Sequence, residues 1–359
     1  MRGCTISTFR ANFSAHRARR GIQESFACSY ANKTQIPMQI RPRTAVIVNP
    51  SSANGRTGKR WQEIEQELRA VLRDFSVFST KRPGHAVELT SNAIRDGFDL
   101  IVSVGGDGTH CEVVNGFFDG NLPINPNATM AIFPHGTGSD LARGMGVRNP
   151  QDALRMLADC KIAKVDLGRV TLTLPHGGTQ VRYFLNIADF GIGGAVAERV
   201  NGHTKRLGPF LTFLSAVLRT LLTFKNPMVS IQIDGESFTT RSINVIIANG
   251  QYYGGGIHVA RDAKMSDGVF EVYVLGDIRL LTALRYLHTF YLGTYTQYPH
   301  LARRFKATRV VAQSDERVLL NLDGEQPGQL PAAIELLPAA LSFVVPESVH
   351  SERGTTFAQ

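Results

Sequence analysis

Cysteine is scarce: four residues, Cys4, Cys28, Cys111 and Cys160, in a chain of 359, with no Cys-x-x-Cys pair. That spacing argues against a disulfide framework or a structural zinc site and suits a reducing compartment. Long apolar runs are also missing. A bilayer span needs roughly 18–20 apolar residues, and the best run, starting at Leu207, is broken by Arg219. There is no obvious long-period repeat. No HxxxH or HExxH spacing links His110, His135 or His258, so zinc chemistry is not indicated, and these side chains are expected to be exposed or packed in loops. A Walker A loop is absent; Gly55-Arg56-Thr57-Gly58-Lys59 only approaches one. No GxGxxG follows the first strand, which disfavours a Rossmann dehydrogenase.

Charge is unevenly placed. Residues 1–43 hold eight basic residues against one acidic; the remainder holds 31 basic against 29 acidic. The high pI therefore belongs to the N-terminal segment, and no nucleic-acid partner is expected for the folded part. Residues 1–43 are rich in Arg, Ser and Thr and lack the apolar stretch of a secretory signal. They read as a disordered extension, with an organellar transit peptide as the alternative reading and Met38 as a candidate start. Hydrophobic residues at 43% and charged residues at 19% describe an ordinary globular chain, long enough for two domains.

From residue 44 strands and helices alternate. Ala45–Val48, Phe75–Ser79, Leu100–Val104 and Met130–Phe133 read as strands. Trp61, Ile64, Leu68 and Val71 or Leu72 recur at helical spacing, and His85–Asp96 and Glu112–Phe118 read as helices. This predicts an α/β domain with a parallel sheet. After Cys160 the pattern changes. Lys164–Leu174 with Gln180–Ala188, and Met228–Ile233 with Ser237–Ala248, read as hairpins; Val269–Leu275 and Arg317–Leu322 add strands. Leu207–Phe224 and Arg279–Phe305 read as helical. The C-terminal half is predicted to be antiparallel, β-rich and sandwich-like, with the boundary near residue 165.

The strongest local signal is the strand Leu100–Val104 running into Gly105-Gly106-Asp107-Gly108-Thr109 and then a helix. Glycines allow close backbone approach, and a helix start offers free N–H donors, so phosphate is the natural guest. Thr109 can add a hydroxyl donor. Asp107 would repel phosphate, and so suggests either Mg2+ or a polar contact that orders the loop. A second strand-to-helix turn, Pro134-His135-Gly136-Thr137-Gly138-Ser139-Asp140, offers Ser139 or Asp140 as an N-cap. Two such turns at one sheet edge favour a nucleotide crevice.

Gly-Gly-Asp-Gly-Thr followed by Glu112-Val113-Val114-Asn115-Gly116 resembles the diacylglycerol kinase catalytic-domain family, which includes soluble bacterial lipid kinases and sphingosine kinases. Asn49-Pro50 with Ser51, Pro134-x-Gly-Thr-Gly-x-Asp, Asn321-Leu322-Asp323-Gly324-Glu325 and Ile334–Leu341 extend the resemblance from about Ala45 to Pro346. It implies ATP bound between an α/β domain, residues 44–165 completed by a C-terminal segment near 338–348, and a β-rich lipid-substrate domain, 166–337, with 349–359 a disordered tail. Carried onto this chain, the implied nucleotide contacts are Asn49, Pro50, Ser51, Ser52, Ala53, Thr80, Val104, Gly105, Gly106, Asp107, Gly108, Thr109, His110 and Thr137. The implied catalytic carboxylates are Asp323 and Glu325, and the implied structural Mg2+ ligands are the Asp267 side chain with the carbonyls of Lys264 and Val269. The chain departs from the family pattern where Ala53 and a longer 54–58 loop replace Ser-Gly, and where Cys111 and Ser139 replace Asn.

Phosphoryl transfer to an alcohol needs a base for the hydroxyl proton. Asp323 and Glu325 lie two apart, which on an extended segment puts both on one face. Glu325 is the expected base and Asp323 its assistant, with the reverse open. The tripeptide also occurs as Asp234-Gly235-Glu236, between two alternating strands, where it reads as a hairpin turn; from sequence alone residues 323–325 fit that reading equally.

The expected activity is thus an ATP- and Mg2+-dependent lipid kinase acting on diacylglycerol, phosphatidylglycerol or a sphingoid-type lipid. It would be cytoplasmic and peripheral to the membrane, or organellar if residues 1–43 are a transit peptide, and a homodimer is allowed. The basic, apolar stretches 207–224 and 279–305 would either dock transiently on a membrane surface or pack on the β domain. The rival readings are an NAD kinase-like or phosphofructokinase-like enzyme and a non-catalytic regulator.

Overall fold

The computed structural model describes residues 42–201 and 209–347. The extension before residue 42, the tail after 347 and residues 202–208, which include Lys205 and Arg206 at the start of the stretch 207–224, lie outside the described residues.

Four parallel strands form the N-terminal part, in the spatial order Thr129–Pro134, Leu100–Gly105, Thr44–Val48, Ser76–Ser79. The first three are almost wholly buried, as expected of parallel strands covered by helices, whereas Ser76–Ser79 is the half-exposed edge. The helices Trp61–Leu72, His85–Arg95, Asp107–Asn115 and Pro150–Asp159 pack on this sheet or on one another. Ile64 and Leu68, at helical spacing, are the residues that the first of them buries. The last starts on the Asn149 side chain, which accepts from Asp152 N at 2.9 Å, with Pro150 in the first turn.

The C-terminal part is antiparallel. One sheet has the order Ala302–Ala307, Phe270–Leu275, Asn244–Ala248, Ile187–Gly191, Leu320–Leu322. It faces Lys161–Thr173, Met228–Ile233, Arg309–Gln313 and the first half of Gln329–Val345 across a core of Val, Ile, Leu and Phe. The result is an α/β domain with a mostly parallel sheet, followed by a β-rich antiparallel domain.

The long strand Gln329–Val345 links the two parts. Along one edge it pairs antiparallel with Lys161–Thr173. Along the other, Ala332–Glu335 pair with Arg309–Gln313, and Ser342 and Phe343 pair in parallel with Thr129 and Met130. The register shifts between Leu337 and Leu341. Pro338 has no N–H for a ladder there, and Ala339 (φ +50°) donates its N–H to Asp166 Oδ1 at 2.7 Å instead.

Several stretches differ from expectation. The single strand expected over Gln180–Ala188 is two, Thr179–Phe184 and Ile187–Gly191, in different sheets. The helix expected over Arg279–Phe305 stops at Leu292, where Gly293 adopts φ +66°, and Ala302–Ala307 is a strand. The single strand expected over Ser237–Ala248 is two, Glu236–Arg241 and Asn244–Ala248, in different sheets. Ser242 makes the corner, its hydroxyl donating to Leu275 O at 2.6 Å.

Phe343 is fully buried where the long strand joins the parallel sheet. Phe343→Ala is expected to cost about 3–5 kcal/mol, read as a shift in the denaturation midpoint.

Candidate active site

The strands Thr44–Val48, Ser76–Ser79, Leu100–Gly105 and Thr129–Pro134 end in register, with Val48 opposite Ser79 and Val104, and Gly105 opposite Pro134. Four loops therefore leave one carboxyl edge side by side, the position at which open α/β sheets bind ligands. They carry Asn49–Ala53, Thr80, Gly106–Thr109 and Thr137.

The loops are tied to each other by side chains. Asn49 accepts from Ser51 N at 3.0 Å through Oδ1 and donates to Thr109 Oγ1 at 3.0 Å. Thr109, expected as a phosphate donor, is buried and serves as this anchor. Ser52 Oγ donates to His135 O at 3.1 Å, and Thr57 Oγ1 lies 2.7 Å from His135 Nδ1, joining the first loop to the second glycine turn. Ala53, at a position departing from the family pattern, holds φ +53° beside Asn54 at +57°. A methyl on Gly136 would lie 2.5 Å from Gly106 Cα, so the two glycine turns touch backbone to backbone.

Asp107 is the polar contact that orders the loops. Its carboxylate accepts from Asp140 N and Leu141 N at 3.1 and 3.2 Å, capping the short helix that neither Ser139 nor Asp140 caps. Asp140 in turn accepts from Gly255 N at 2.7 Å, and burial, with Asp107 nearby, pushes its carboxyl up to about 6. Glu112 accepts from Gly84 N and Ala86 N at 2.8 and 3.0 Å, fixing the start of the helix after Thr80.

Residues 323–325 form a tight turn, the hairpin reading that the sequence left open beside an extended segment. Leu322 and Glu325 exchange both main-chain hydrogen bonds, at 2.8 and 2.9 Å, around Asp323 (φ +49°) and Gly324 (φ +94°). The two carboxylates consequently diverge. Asp323 accepts from Leu185 N, Asn186 N and Ile187 N at 2.9, 3.1 and 2.8 Å. Desolvation still lifts it to about 6. Asn321 braces the turn, accepting from Gly324 N at 3.0 Å and donating to the buried Asp189 at 2.6 Å. Glu325 instead faces the glycine-rich loop: a methyl on Gly108 would sit 3.2 Å from Glu325 Oε1. Burial raises its carboxyl to about 7, helped by Glu112 and opposed by Arg182. Cys111, Glu112, Arg182, Tyr183, Leu322 and Pro327 line the cleft with it.

The duplicate tripeptide also makes a hairpin turn, between Ile233 and Glu236, with positive φ at Asp234 but not at Gly235, and Asp234 accepts from Thr308 N and Arg309 N. Glu236, however, is exposed and paired with Arg303 at 2.7 Å.

Lys264, Asp267 and Val269 lie together in the turn before Phe270–Leu275, away from the glycine-rich loop in sequence. Asp166 N donates to Met265 O and Asp166 Oδ2 accepts from Gly268 N, which closes the turn. Asp267 is raised by burial and by the Asp166 charge, against the Val269 N–H and Lys306. Two neighbouring carboxylates and the turn carbonyls suit a hard cation that keeps most of its waters. Among the described residues no three His, Cys, Asp or Glu side chains stand close enough to hold a metal by themselves.

None of the three histidines is free in solvent. His110 is 1% exposed, with Nδ1 2.7 Å from Ser103 Oγ, and so turns away from the crevice; His258 stacks on Tyr252. Asp166, Asp189, Arg182 and the bracing role of Asn115 were not anticipated. Asn115 pairs with the main chain of Tyr183 in both directions, at 2.9 Å each, and so locks the glycine-loop helix to the β-rich part. Asn115 stood inside a recognised motif, but Arg182 sits in an ordinary strand and carries no local signal.

The comparisons agree with this architecture. The family described as "Diacylglycerol kinase catalytic domain" matches residues 43–170, and "YegS C-terminal NAD kinase beta sandwich-like domain" matches residues 186–345. A diacylglycerol kinase of Bacillus subtilis (strain 168) is 29% identical over 308 residues, 85% of this chain and 97% of that protein. One of Staphylococcus carnosus (strain TM300) is 26% identical over 316 residues, 87% of this chain and 98% of that protein. A crystal structure from Bacillus anthracis str. Sterne superposes with a TM-score of 0.67 at 25% identity, covering 86% of this chain and 98% of the other.

Asp323→Asn keeps one acceptor oxygen but turns an amide donor toward main-chain donors. It is expected to destabilise the fold by about 1–3 kcal/mol, measured by chemical denaturation.

Proposed function

The chain belongs to the diacylglycerol kinase catalytic-domain family, and from that premise we propose that it transfers the γ-phosphoryl group of MgATP to the primary hydroxyl of a membrane lipid, with diacylglycerol the first candidate. The observation that carries this reading is the approach of Glu325 to Gly108 across one crevice, which sets a carboxylate against a glycine-rich, helix-opening loop. Support for diacylglycerol comes from the name of the curated relatives, matched over nearly their whole length.

In this reading the loops at the sheet edge receive the triphosphate on main-chain N–H groups. Glu325 takes the proton from the lipid hydroxyl while its oxygen attacks the γ-phosphorus. The bond from that phosphorus to the β-phosphate oxygen breaks, ADP leaves, and Glu325 returns the proton to solvent. A carboxyl near 7 is well matched to this task at neutral pH. Asp323 does not share the proton, because main-chain donors occupy both its oxygens; it holds the turn. Lys264, Asp267 and Val269 would hold a separate structural Mg2+, which would supply positive charge to brace the turn beside Asp166.

Mass spectrometry of products from ATP and a mixed lipid extract tests the activity; phosphorylation of NAD and of no lipid would overturn it. Glu325→Gln is expected to lower turnover on the order of 100-fold or more while leaving the melting temperature near wild type. Wild-type kcat/KM is expected to rise with pH through about 7, since the base acts only when deprotonated, and a flat profile would remove Glu325 from that role. Asp267→Asn is expected to abolish the rise in melting temperature that MgCl2 produces in the wild-type protein.

A further inference from the structure

The helix Leu280–Leu292 is apolar on two faces. Ala283, Tyr286 and Phe290 pack inward, on the core beside the antiparallel sheet. Leu281, Leu284, Leu287, Tyr291 and Leu292 face outward, Leu281 at 81% exposure. Spacings of three and four residues place these outward side chains in one stripe. A helix apolar on all sides is normally buried, so the bare stripe needs an occupant.

A second set of exposed leucines lies near the start of this helix. The Asn226 amide donates to Asp277 Oδ1 and Ile278 O at 2.8 and 3.0 Å, which brings the end of the helix Pro209–Thr223 beside Arg279. Leu218 and Leu222 are exposed there, Leu222 at 69%. The charge along the helix itself is basic, with Asp277 the acidic side chain just before it, held by Asn226. From Arg279 to Arg309 the chain has no Asp or Glu. Arg219, Lys225, Arg279 and Arg285 are exposed and carry no ion pair among the described residues.

We propose that this two-helix face docks on an anionic lipid bilayer, its leucines entering the acyl boundary and Arg219, Lys225, Arg279 and Arg285 meeting the headgroup phosphates. Basic amphipathic helices bind interfaces in this way. A second copy of this chain would set like charge against like across the same face, whereas anionic headgroups complement it. The biological purpose of the docking rests on the lipid kinase reading; its measurement does not.

The test is co-sedimentation of the full chain with phosphatidylglycerol and with phosphatidylcholine vesicles. Wild type is expected to bind phosphatidylglycerol preferentially. L281E/L284E and R279E/R285E are each expected to weaken that binding on the order of tenfold. Leu122→Glu, at a leucine 72% exposed on the hairpin near Phe118, is expected to change nothing. Wild type that ignores both vesicles, or double variants that bind like wild type, would overturn the proposal. So would variants that only convert a dimer to a monomer. L281E/L284E should phosphorylate dispersed dioctanoylglycerol at nearly the wild-type rate but lose activity on vesicle-embedded long-chain lipid. If it fails on both, R279E/R285E decides by the same two readouts. Vesicle binding without phosphorylation of any lipid would leave the docking face standing and remove the kinase reading.

Discussion

Three consecutive main-chain N–H groups, from Leu185, Asn186 and Ile187, converge on the Asp323 carboxylate. That cluster pins a two-residue turn with left-handed backbone at Asp323 and Gly324. Because the turn is pinned, the next side chain has one place to go. Glu325 is held against Gly108, and the β-rich part meets the parallel sheet there with a carboxylate instead of a hydrophobic contact.

The same use of carboxylates recurs around the crevice. Asp107 accepts from two N–H groups of the neighbouring glycine turn, Glu112 from two at the start of another helix, and Asp166 from Gly268 and Ala339. Glu325 makes no side-chain hydrogen bond among the described residues, and desolvation acts on it with less opposition. The contrast separates acidic residues that brace the loops from Glu325, which braces none. Asp107 makes one of the two contacts its sequence suggested: the backbone of the next loop.

The parallel strands were legible because burial on both faces leaves near-continuous apolar runs rich in Val and Ile, as at Ala45–Val48 and Leu100–Val104. The glycine turns were legible because close backbone contact, as between Gly106 and Gly136, admits no side chain. The corner at Ser242 and the early stop at Gly293 were not, since each depends on contacts far along the chain, with Leu275 O and the neighbourhood of His258. Arg182 was invisible for the same reason: in a strand of alternating residues nothing local distinguishes a side chain that faces solvent from one that faces Glu325.

The two Asp-Gly-Glu tripeptides mark the division most sharply. Local chemistry determined that either tripeptide could turn a hairpin, and in both the turn forms with its Asp in left-handed backbone, accepting main-chain N–H groups from elsewhere. Tertiary structure alone decided that Glu236 would stand in solvent against Arg303 while Glu325 is driven into a crevice over a glycine-rich loop. A carboxyl's proton affinity depends on how much water and charge surround it, and those are set by strands distant in the chain, not by the neighbours on either side.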